Sequence, residues 1–122
     1  LTVFGNDYPT EDGTCIRDYI HVMDLARAHV ASIHWLLSNP ASCEAFNLGT
    51  GEGKSVSQVI AAFEKANGIE VPYSFGPRRA GDITAIFANA GKAERSLGWK
   101  CQLSLEEALR DAWKWQQKLT ES

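Results

Sequence analysis

The sequence reads Phe4-Gly5-Asn6-Asp7-Tyr8-Pro9-Thr10-Glu11-Asp12-Gly13-Thr14-Cys15-Ile16-Arg17-Asp18-Tyr19-Ile20-His21-Val22 near its start, a segment rich in turn residues, aromatic rings and hydrogen-bonding side chains. A second cluster, Arg78-Arg79-Ala80-Gly81-Asp82, follows in the second half of the chain. Both clusters predict loops. Arginine binds phosphate oxygens through parallel N–H groups, and aromatic rings offer flat faces to a base. Together the clusters predict a site for an anionic, ring-containing ligand that resembles a nucleotide sugar.

Each cluster, taken alone, also fits a plain surface ion pair, which contributes little to stability. The combination favours the ligand site, because each cluster places an arginine and an aspartate in a loop. One arginine could neutralise a diphosphate while a carboxylate accepts hydrogen bonds from ribose hydroxyls.

Outward from these clusters, strand and helix patterns alternate, which predicts an α/β domain with short strands and about four helices. Asp24 is the predicted N-cap of the first helix, on which one apolar stripe is predicted from Ala26, Val30, Ile33 and Leu37. Ser55 with Gln58, and Ser104 with Glu107, have capping-box spacing. The predicted strands are residues 1–4, 17–22, 45–48 and 71–75. The predicted helices are residues 25–37, from 56 to the Asn67-Gly68 end, from 90 to 97 between an Asn89 cap and Gly98, and from 105 through 119.

The glycine-rich loop Gly49-x-Gly51-x-Gly53-Lys54-Ser55 lies between a predicted strand and a helix and invites a phosphate-loop interpretation. The phosphate-loop pattern would need a glycine where Leu48 stands, and the dinucleotide pattern would need one at Lys54. We therefore predict a turn that enters a capped helix. Backbone contact with a ligand at the helix N-terminus is the alternative.

Composition limits the class of protein. The 122 residues suit one domain, and the net charge of −3 argues against a nucleic-acid-binding surface. No apolar run is long enough to span a membrane, and no signal-peptide pattern is present. The histidines are too scattered to predict a metal site. The three cysteines form no C-x-x-C pair and predict reduced, buried thiols in a cytoplasmic protein: Cys15, Cys43 and Cys101.

The string F-G-N-D-Y-P-T-x-D-G-T-x-x-R-D-Y-I-H-V-x-D-L-A from Phe4 to Ala26 closely resembles the C-terminal portion of the UDP-glucose 4-epimerases, a family of extended short-chain dehydrogenases/reductases. F-N-L-G-T-G-x-G-x-S-V, R-R-x-G-D, L-G-W-K and W-x-W-Q follow at the spacing of that family. The chain begins at Leu1, within a strand-like run and without an initiator methionine, so we expect a piece of a longer protein.

The resemblance implies that residues 1–122 are the C-terminal UDP-sugar-binding domain, without the NAD-binding Rossmann core. The family interconverts UDP-glucose and UDP-galactose by transient oxidation at C4, with NAD bound by the N-terminal domain. Its catalytic Tyr-x-x-x-Lys pair has no match here, because Asp12, Met23 and Pro77 follow the tyrosines by four positions. No catalytic, NAD-binding or metal-binding residue is therefore expected in this chain, which we expect to be inactive alone.

The resemblance also implies roles for nine residues. Those expected near the uracil are Leu1, Thr2 and Phe4. The diphosphate would be bound by Arg17 and Arg79. The nucleotide pocket would be lined by Tyr19 and Val56, with ribose hydroxyls on Asp82. Ile86 falls where some relatives carry a tyrosine at the sugar end, which leaves the choice between plain and N-acetylated sugars open.

The implied partners are UDP-glucose or UDP-galactose, the N-terminal domain, and a second copy in a homodimeric parent. The helix at 25–37 and the strand at 46–48 are expected to pack on the N-terminal domain, and their apolar faces to drive self-association when alone. Two other functions remain open: an epimerase or dehydratase for another nucleotide sugar, and a non-catalytic nucleotide-sugar-binding module.

Overall fold

Four helices and four short strands make up the computed structural model, which describes residues 1–120. The strands are β1 (Thr2–Phe4), β2 (Ile16–Arg17), β3 (Lys54–Ser55) and β4 (Ser74–Gly76). The helices are α1 (Val22–Ser38), α2 (Val56–Asn67), α3 (Gly91–Leu97) and α4 (Leu105–Thr120). The α/β class and the predicted number of helices are confirmed.

The strands form two separate two-stranded sheets. β1 and β4 are parallel, with Val3 opposite Phe75, and β2 and β3 are antiparallel, with Ile16 opposite Ser55. A further isolated bridge joins Ile16 to Ala85. This second sheet therefore brings the segment after the Arg78-Arg79 loop alongside the strand that ends in Arg17.

The first helix begins earlier than predicted, and the predicted strand 17–22 shortens to β2. The N-cap of α1 is His21, whose Nδ1 accepts a hydrogen bond from the Met23 N–H at 3.0 Å. The prediction of Asp24 as the N-cap is wrong. Asp24 lies within the first turn and is fully buried, because its carboxylate accepts the N–H groups of Gln102 and Leu103, each at 3.0 Å.

Two predicted strands are also corrected. Residues 45–48 form no strand, because they pair with none of the four strands that the structure describes within residues 1–120. Instead, Phe46 packs edge-on against Trp35, with 5.4 Å between ring centroids. The strand predicted at 71–75 is observed as β4, shifted towards its C-terminus, because parallel pairing with β1 sets its register.

The helix ends follow local sequence signals closely. The Ser55–Gln58 capping box is formed, and Ser104 and Glu107 exchange the same pair of hydrogen bonds at 2.8 and 3.2 Å. Gly98 ends α3 in the left-handed region that glycine adopts without strain, at φ 62°. The prediction of Asn89 as the cap of α3 is wrong by one residue, because the N-cap is Ala90 and α3 begins one residue later than predicted; Asn89 accepts the Gly91 N–H at 3.1 Å from just before the cap.

The core is small, and much apolar surface stays exposed. Ala28, Ala93 and Trp99 form the buried cluster, and Trp113 of α4 packs edge-on against Phe63 of α2. Trp115 is 63% exposed, as expected for a tryptophan off the buried face of α4. The chain exposes 8202 Å², whereas a folded monomer of its 13.4 kDa exposes roughly 6,500 Å². The chain therefore buries less of its surface than a typical folded monomer of its mass.

The exposed apolar surface is concentrated on α1. Its buried residues are Asp24 and Ala28, whereas the stripe that the helical period predicts faces outward. That stripe consists of Ala26, Val30, Ile33 and Leu37, and together with Met23 it is called here the outer face of α1. Leu37 is 77% exposed.

The cysteines are free thiols, as predicted, but only partly buried. Cys15 is buried and Cys101 half-buried, whereas Cys43 is exposed, so the prediction of a buried role is wrong for Cys43. Burial raises the pKa of the Cys101 thiol to about 11. Across residues 1–120, no helix combines the length and the apolar character that crossing a bilayer requires.

Candidate functional site

The site is built around two arginines that meet at one carboxylate. Arg17 Nη2 lies 3.2 Å from Asp82 Oδ1, and Arg79 Nε lies 3.2 Å from Asp82 Oδ2. Arg17 and Asp82 are 65 positions apart in the sequence. The fold therefore joins the two clusters that the sequence analysis singled out, and it places both positive charges at one point on the surface.

Backbone pairing beside β2 explains why the clusters meet. The Ile16 N–H donates to the Thr84 carbonyl at 2.9 Å, and the Ile86 N–H donates to the Ile16 carbonyl at 3.1 Å. The Arg17 side chain reinforces this pairing, because its Nη1 donates to the carbonyls of Ile16 and Ile83 at 2.7 and 2.9 Å. Arg17 is thus a rigid member of the site.

The unpaired edge of β1 lies beside this arginine pair, because Phe4 of β1 contacts Arg79. The Arg79 guanidinium lies over the Phe4 ring, 5.1 Å from its centroid. The backbones of Leu1 and Gly5 bond to β4. Because bonding alternates along a strand, the N–H and C=O groups of Thr2 and Phe4 face the other way, towards the unpaired edge of this two-stranded sheet.

Asp18 joins three loops and was missed as a structural residue. Its Oδ1 accepts the Thr50 N–H at 3.0 Å and the Thr50 hydroxyl at 2.6 Å, while Oδ2 accepts the N–H groups of Gly51 and Ala88 at 3.3 and 3.1 Å. Burial would raise the pKa of Asp18, but these hydrogen bonds outweigh it and lower that pKa. Four donors saturate this carboxylate, so Asp82 is the better acceptor for a ligand hydroxyl.

The donors that saturate Asp18 lie 32 and 70 positions further along the chain. No local pattern in the sequence predicts these contacts. Only the position of Asp18 between Arg17 and Tyr19 marked it as a residue of interest.

The remaining site residues lie around this centre on different sides. Ile86 lines a cleft of about 560 Å³ together with Arg17 and Asp18. Tyr19 instead lines two neighbouring cavities, of which one lies against α4. Burial raises the pKa of the Tyr19 hydroxyl. Val56 is half-buried at the start of α2, and Leu1 is anchored by its ammonium group, which donates to the Pro72 carbonyl at 3.0 Å.

The N-terminus of α2 has no N–H groups to spare for a phosphate. The first donors, from Ser55 to Gln58, bond within the chain to the Gln58 side chain, the Cys15 carbonyl, the Thr14 hydroxyl and the Ser55 hydroxyl. Ser55 also donates to Asp12. The glycine-rich loop is therefore a turn into a capped helix, as the sequence favoured, and the alternative of a phosphate at this helix N-terminus loses its donors.

Metal-binding groups are sparse. The part of the chain that the structure describes has no cluster of three or more histidine, cysteine or acidic side chains able to hold an ion. His21 is buried, and its ring contacts Asp111 of α4 at 3.3 Å. It holds the start of α1 against α4.

Comparison with known proteins identifies the family. Residues 1–112 match the family model described as GDP-mannose 4,6 dehydratase. The chain is 55% identical over 116 residues to the UDP-glucose 4-epimerase of Bacillus subtilis (strain 168), covering 95% of this chain and 34% of that enzyme. It is 53% identical over 119 residues to bifunctional UDP-glucose 4-epimerase and UDP-xylose 4-epimerase 3 of Arabidopsis thaliana, covering 97% of this chain and 34% of that enzyme.

A solved structure of a UDP-glucose 4-epimerase also matches this chain, in fold as well as in sequence. The crystal structure of the UDP-glucose 4-epimerase from Stenotrophomonas maltophila, with bound NAD and formylated UDP-arabinopyranose, superposes with a TM-score of 0.95 at 50% identity. The match covers 99% of this chain and 36% of that one. The chain thus spans about a third of the length of the relatives that it matches. The chain belongs to the UDP-glucose 4-epimerase family of extended short-chain dehydrogenases/reductases.

Proposed function

We propose that this chain supplies the nucleotide-sugar-binding part of a UDP-glucose 4-epimerase, an isomerase that interconverts UDP-glucose and UDP-galactose through transient NAD-dependent oxidation at C4. One observation supports this most directly: Arg17 and Arg79 meet at a single point beside an aromatic ring and an open strand edge. A diphosphate carries its charges close together, and paired guanidinium groups match that arrangement.

The nucleoside would lie along β1. Uracil presents an N–H between two carbonyl oxygens, and a strand edge presents alternating N–H and C=O groups that can pair with such an edge. The backbone groups of Thr2 and Phe4 are the ones that face outward. Leu1 would border the base, and Asp82 would accept ribose hydroxyls. Val56 and Tyr19 would line the nucleotide pocket.

The sugar would extend from the diphosphate into the cleft beside Arg17. Ile86 lies at the rim of this cleft and is half exposed, so its side chain would contact the sugar end. A related enzyme is named as acting on both UDP-glucose and UDP-xylose, which makes another nucleotide sugar the second candidate substrate. Turnover of the whole enzyme on UDP-glucose, UDP-xylose and UDP-N-acetylglucosamine separates these candidates.

NAD does not fit the residues of this chain. The dinucleotide glycine pattern is absent, and the N–H groups at the start of α2 are already bonded. We infer that the NAD site and the catalytic Tyr-x-x-x-Lys pair lie in a separate N-terminal domain. On this proposal, the present chain binds and orients the substrate and does no chemistry alone.

We expect the 122-residue chain to bind UDP weakly, with Kd of about 1 mM, because half of the pocket would come from the N-terminal domain. Isothermal titration calorimetry with UDP and with NAD⁺ measures both affinities. Saturable binding of UDP without binding of NAD⁺ supports the proposal. NAD⁺ bound as tightly as UDP would contradict it.

The outer face of α1 is proposed to pack on the N-terminal domain in a whole enzyme and to drive self-association of the chain alone. Val30, Ile33 and Leu37 are each more than half exposed. We expect Ile33→Glu with Leu37→Glu to convert oligomers to monomers, since charges would be buried in the contact. Sedimentation velocity measures the change, with Gln116→Glu at an exposed position of α4 as the control. A monomeric unaltered chain at high concentration would disprove self-association.

A further inference from the structure

Asp82 sits between the two arginines of the proposed diphosphate site. Each of its oxygens accepts a hydrogen bond from a different guanidinium group, from Arg17 on one side and from Arg79 on the other. The Asp82 side chain is only 16% exposed, whereas Arg79 is 63% exposed. The carboxylate is therefore a largely buried point to which an exposed arginine is hydrogen-bonded.

The hydrogen bonds that Arg17 and Arg79 make within the chain leave most of their guanidinium N–H groups free. Each guanidinium has five N–H donors. Arg17 uses three of them, on the carbonyls of Ile16 and Ile83 and on Asp82, and Arg79 uses one, on Asp82. Two donors on Arg17 and four on Arg79 remain available. The carboxylate can thus hold both arginines without occupying the groups that a diphosphate would use.

We propose that Asp82 is a positioning residue for the diphosphate, which holds Arg17 and Arg79 together before the ligand arrives. This inference rests on the proposed function and adds a second role to the acceptance of ribose hydroxyls. A free arginine side chain populates many rotamers, and ordering it opposes binding. Asp82 fixes Arg79 in advance, with the Phe4 ring holding the other side of its guanidinium.

The positioning role and a purely electrostatic effect predict opposite changes in anion affinity when Asp82 loses its charge. Removing a carboxylate beside an anion site should tighten anion binding, because one repulsion is lost. A positioning role predicts the opposite, since an amide holds one guanidinium less well and presents an N–H to the other. Inorganic pyrophosphate isolates this role, because it lacks the ribose that Asp82 is proposed to contact.

The experiment compares Asp82→Asn with Asp7→Asn in the 122-residue chain. Asp7 forms the neighbouring ion pair, with Arg78 Nε at 2.7 Å, so its replacement removes the same charge from a nearby exposed loop. We expect the Kd of pyrophosphate, measured by NMR titration at fixed ionic strength, to rise about fivefold or more in Asp82→Asn. It should stay equal or fall slightly in Asp7→Asn.

A second measurement needs no ligand. The Arg79 Nε–H signal should lie at a distinct, hydrogen-bonded position in the unaltered chain and in Asp7→Asn, and should move to the averaged position in Asp82→Asn. Equal or tighter pyrophosphate binding by Asp82→Asn, or an unmoved Arg79 signal, overturns the positioning role. If the unaltered chain binds neither UDP nor pyrophosphate, the proposed function fails, and the Arg79 signal still decides whether Asp82 holds the arginine.

Discussion

Replacing Arg17 and Arg79 together by alanine is expected to weaken UDP binding about a hundredfold, which corresponds to about 3 kcal/mol. Each arginine would contribute at least one charge-assisted hydrogen bond to the diphosphate, and such bonds are the strong ones in protein sites. NMR titration of UDP and of uridine into the unaltered chain and into the variant checks the result, since UDP shifts that approach saturation at millimolar UDP in the unaltered chain should rise only linearly in the variant. Uridine carries no phosphate, so its affinity should change little.

Arg78→Ala is the matched control for that prediction. Arg78 is adjacent in sequence and carries the same charge, yet it donates to Asp7 and lies over the Tyr8 ring, 4.2 Å from the centroid. We expect its loss to weaken UDP binding less than threefold, since exposed charges act only weakly at a distance in water. If Arg78→Ala weakened UDP binding as much as the double replacement does, the site would be a diffuse positive field and not a pair of arginines arranged for a diphosphate.

Asp24→Ala is expected to destabilise the fold by about 3 kcal/mol. The side chain is fully buried and anchors the segment before α4, by accepting the N–H groups of Gln102 and Leu103 and an ion pair from Arg27 at 2.9 Å. Its removal would leave these two part-buried N–H groups without their acceptor. Urea unfolding followed by circular dichroism measures the loss.

The variants Asp24→Asn and Arg27→Ala separate the contributions. The amide oxygen of asparagine can still accept the two N–H groups, so we expect a smaller loss than for alanine, about 1–2 kcal/mol. Arg27 is half exposed, and its removal should cost less than about 1 kcal/mol. An alanine variant as stable as the unaltered chain would show that the anchor is not needed.

The same carboxylate should make stability depend on pH. Burial would raise the pKa of Asp24, but the hydrogen bonds from Leu103 and Gln102 and the Arg27 charge outweigh it and lower that pKa below 3.8. Its stabilisation is therefore fully present above the pKa of the unfolded chain, and it is lost as the pH falls from about 4 through the lowered value. The unaltered chain should lose more stability in acid than Asp24→Ala.

Much of the secondary structure was readable because its signals are local. The Ser55–Gln58 and Ser104–Glu107 capping boxes each join residues three positions apart, and both form as predicted. Gly68 and Gly98 end helices for the same kind of reason, since a left-handed backbone conformation suits glycine wherever a helix stops.

The wrong predictions concern positions whose structure depends on residues far away in the sequence. Aspartate is a common N-cap residue, but the carboxylate of Asp24 accepts backbone N–H groups 78 and 79 positions away. His21 caps the helix instead. Residues 45–48 have a strand-like composition, but a strand needs a partner, and these residues pair with none of the four described strands. Helical period placed a stripe on α1 correctly, yet it could not tell that the stripe would face outward.

The amino-acid sequence by itself determined the helix boundaries that caps set, the class of the fold, the family, and the two arginine clusters. Only the tertiary structure decided that Arg17 and Arg79 share Asp82, that Asp18 is saturated by loop donors, and that the outer face of α1 lies exposed. The physical reason is the distance along the chain over which each kind of interaction acts. Caps and helical periods act over a few residues along the chain, whereas a shared carboxylate or an uncovered face depends on which distant segments the packed backbone brings together.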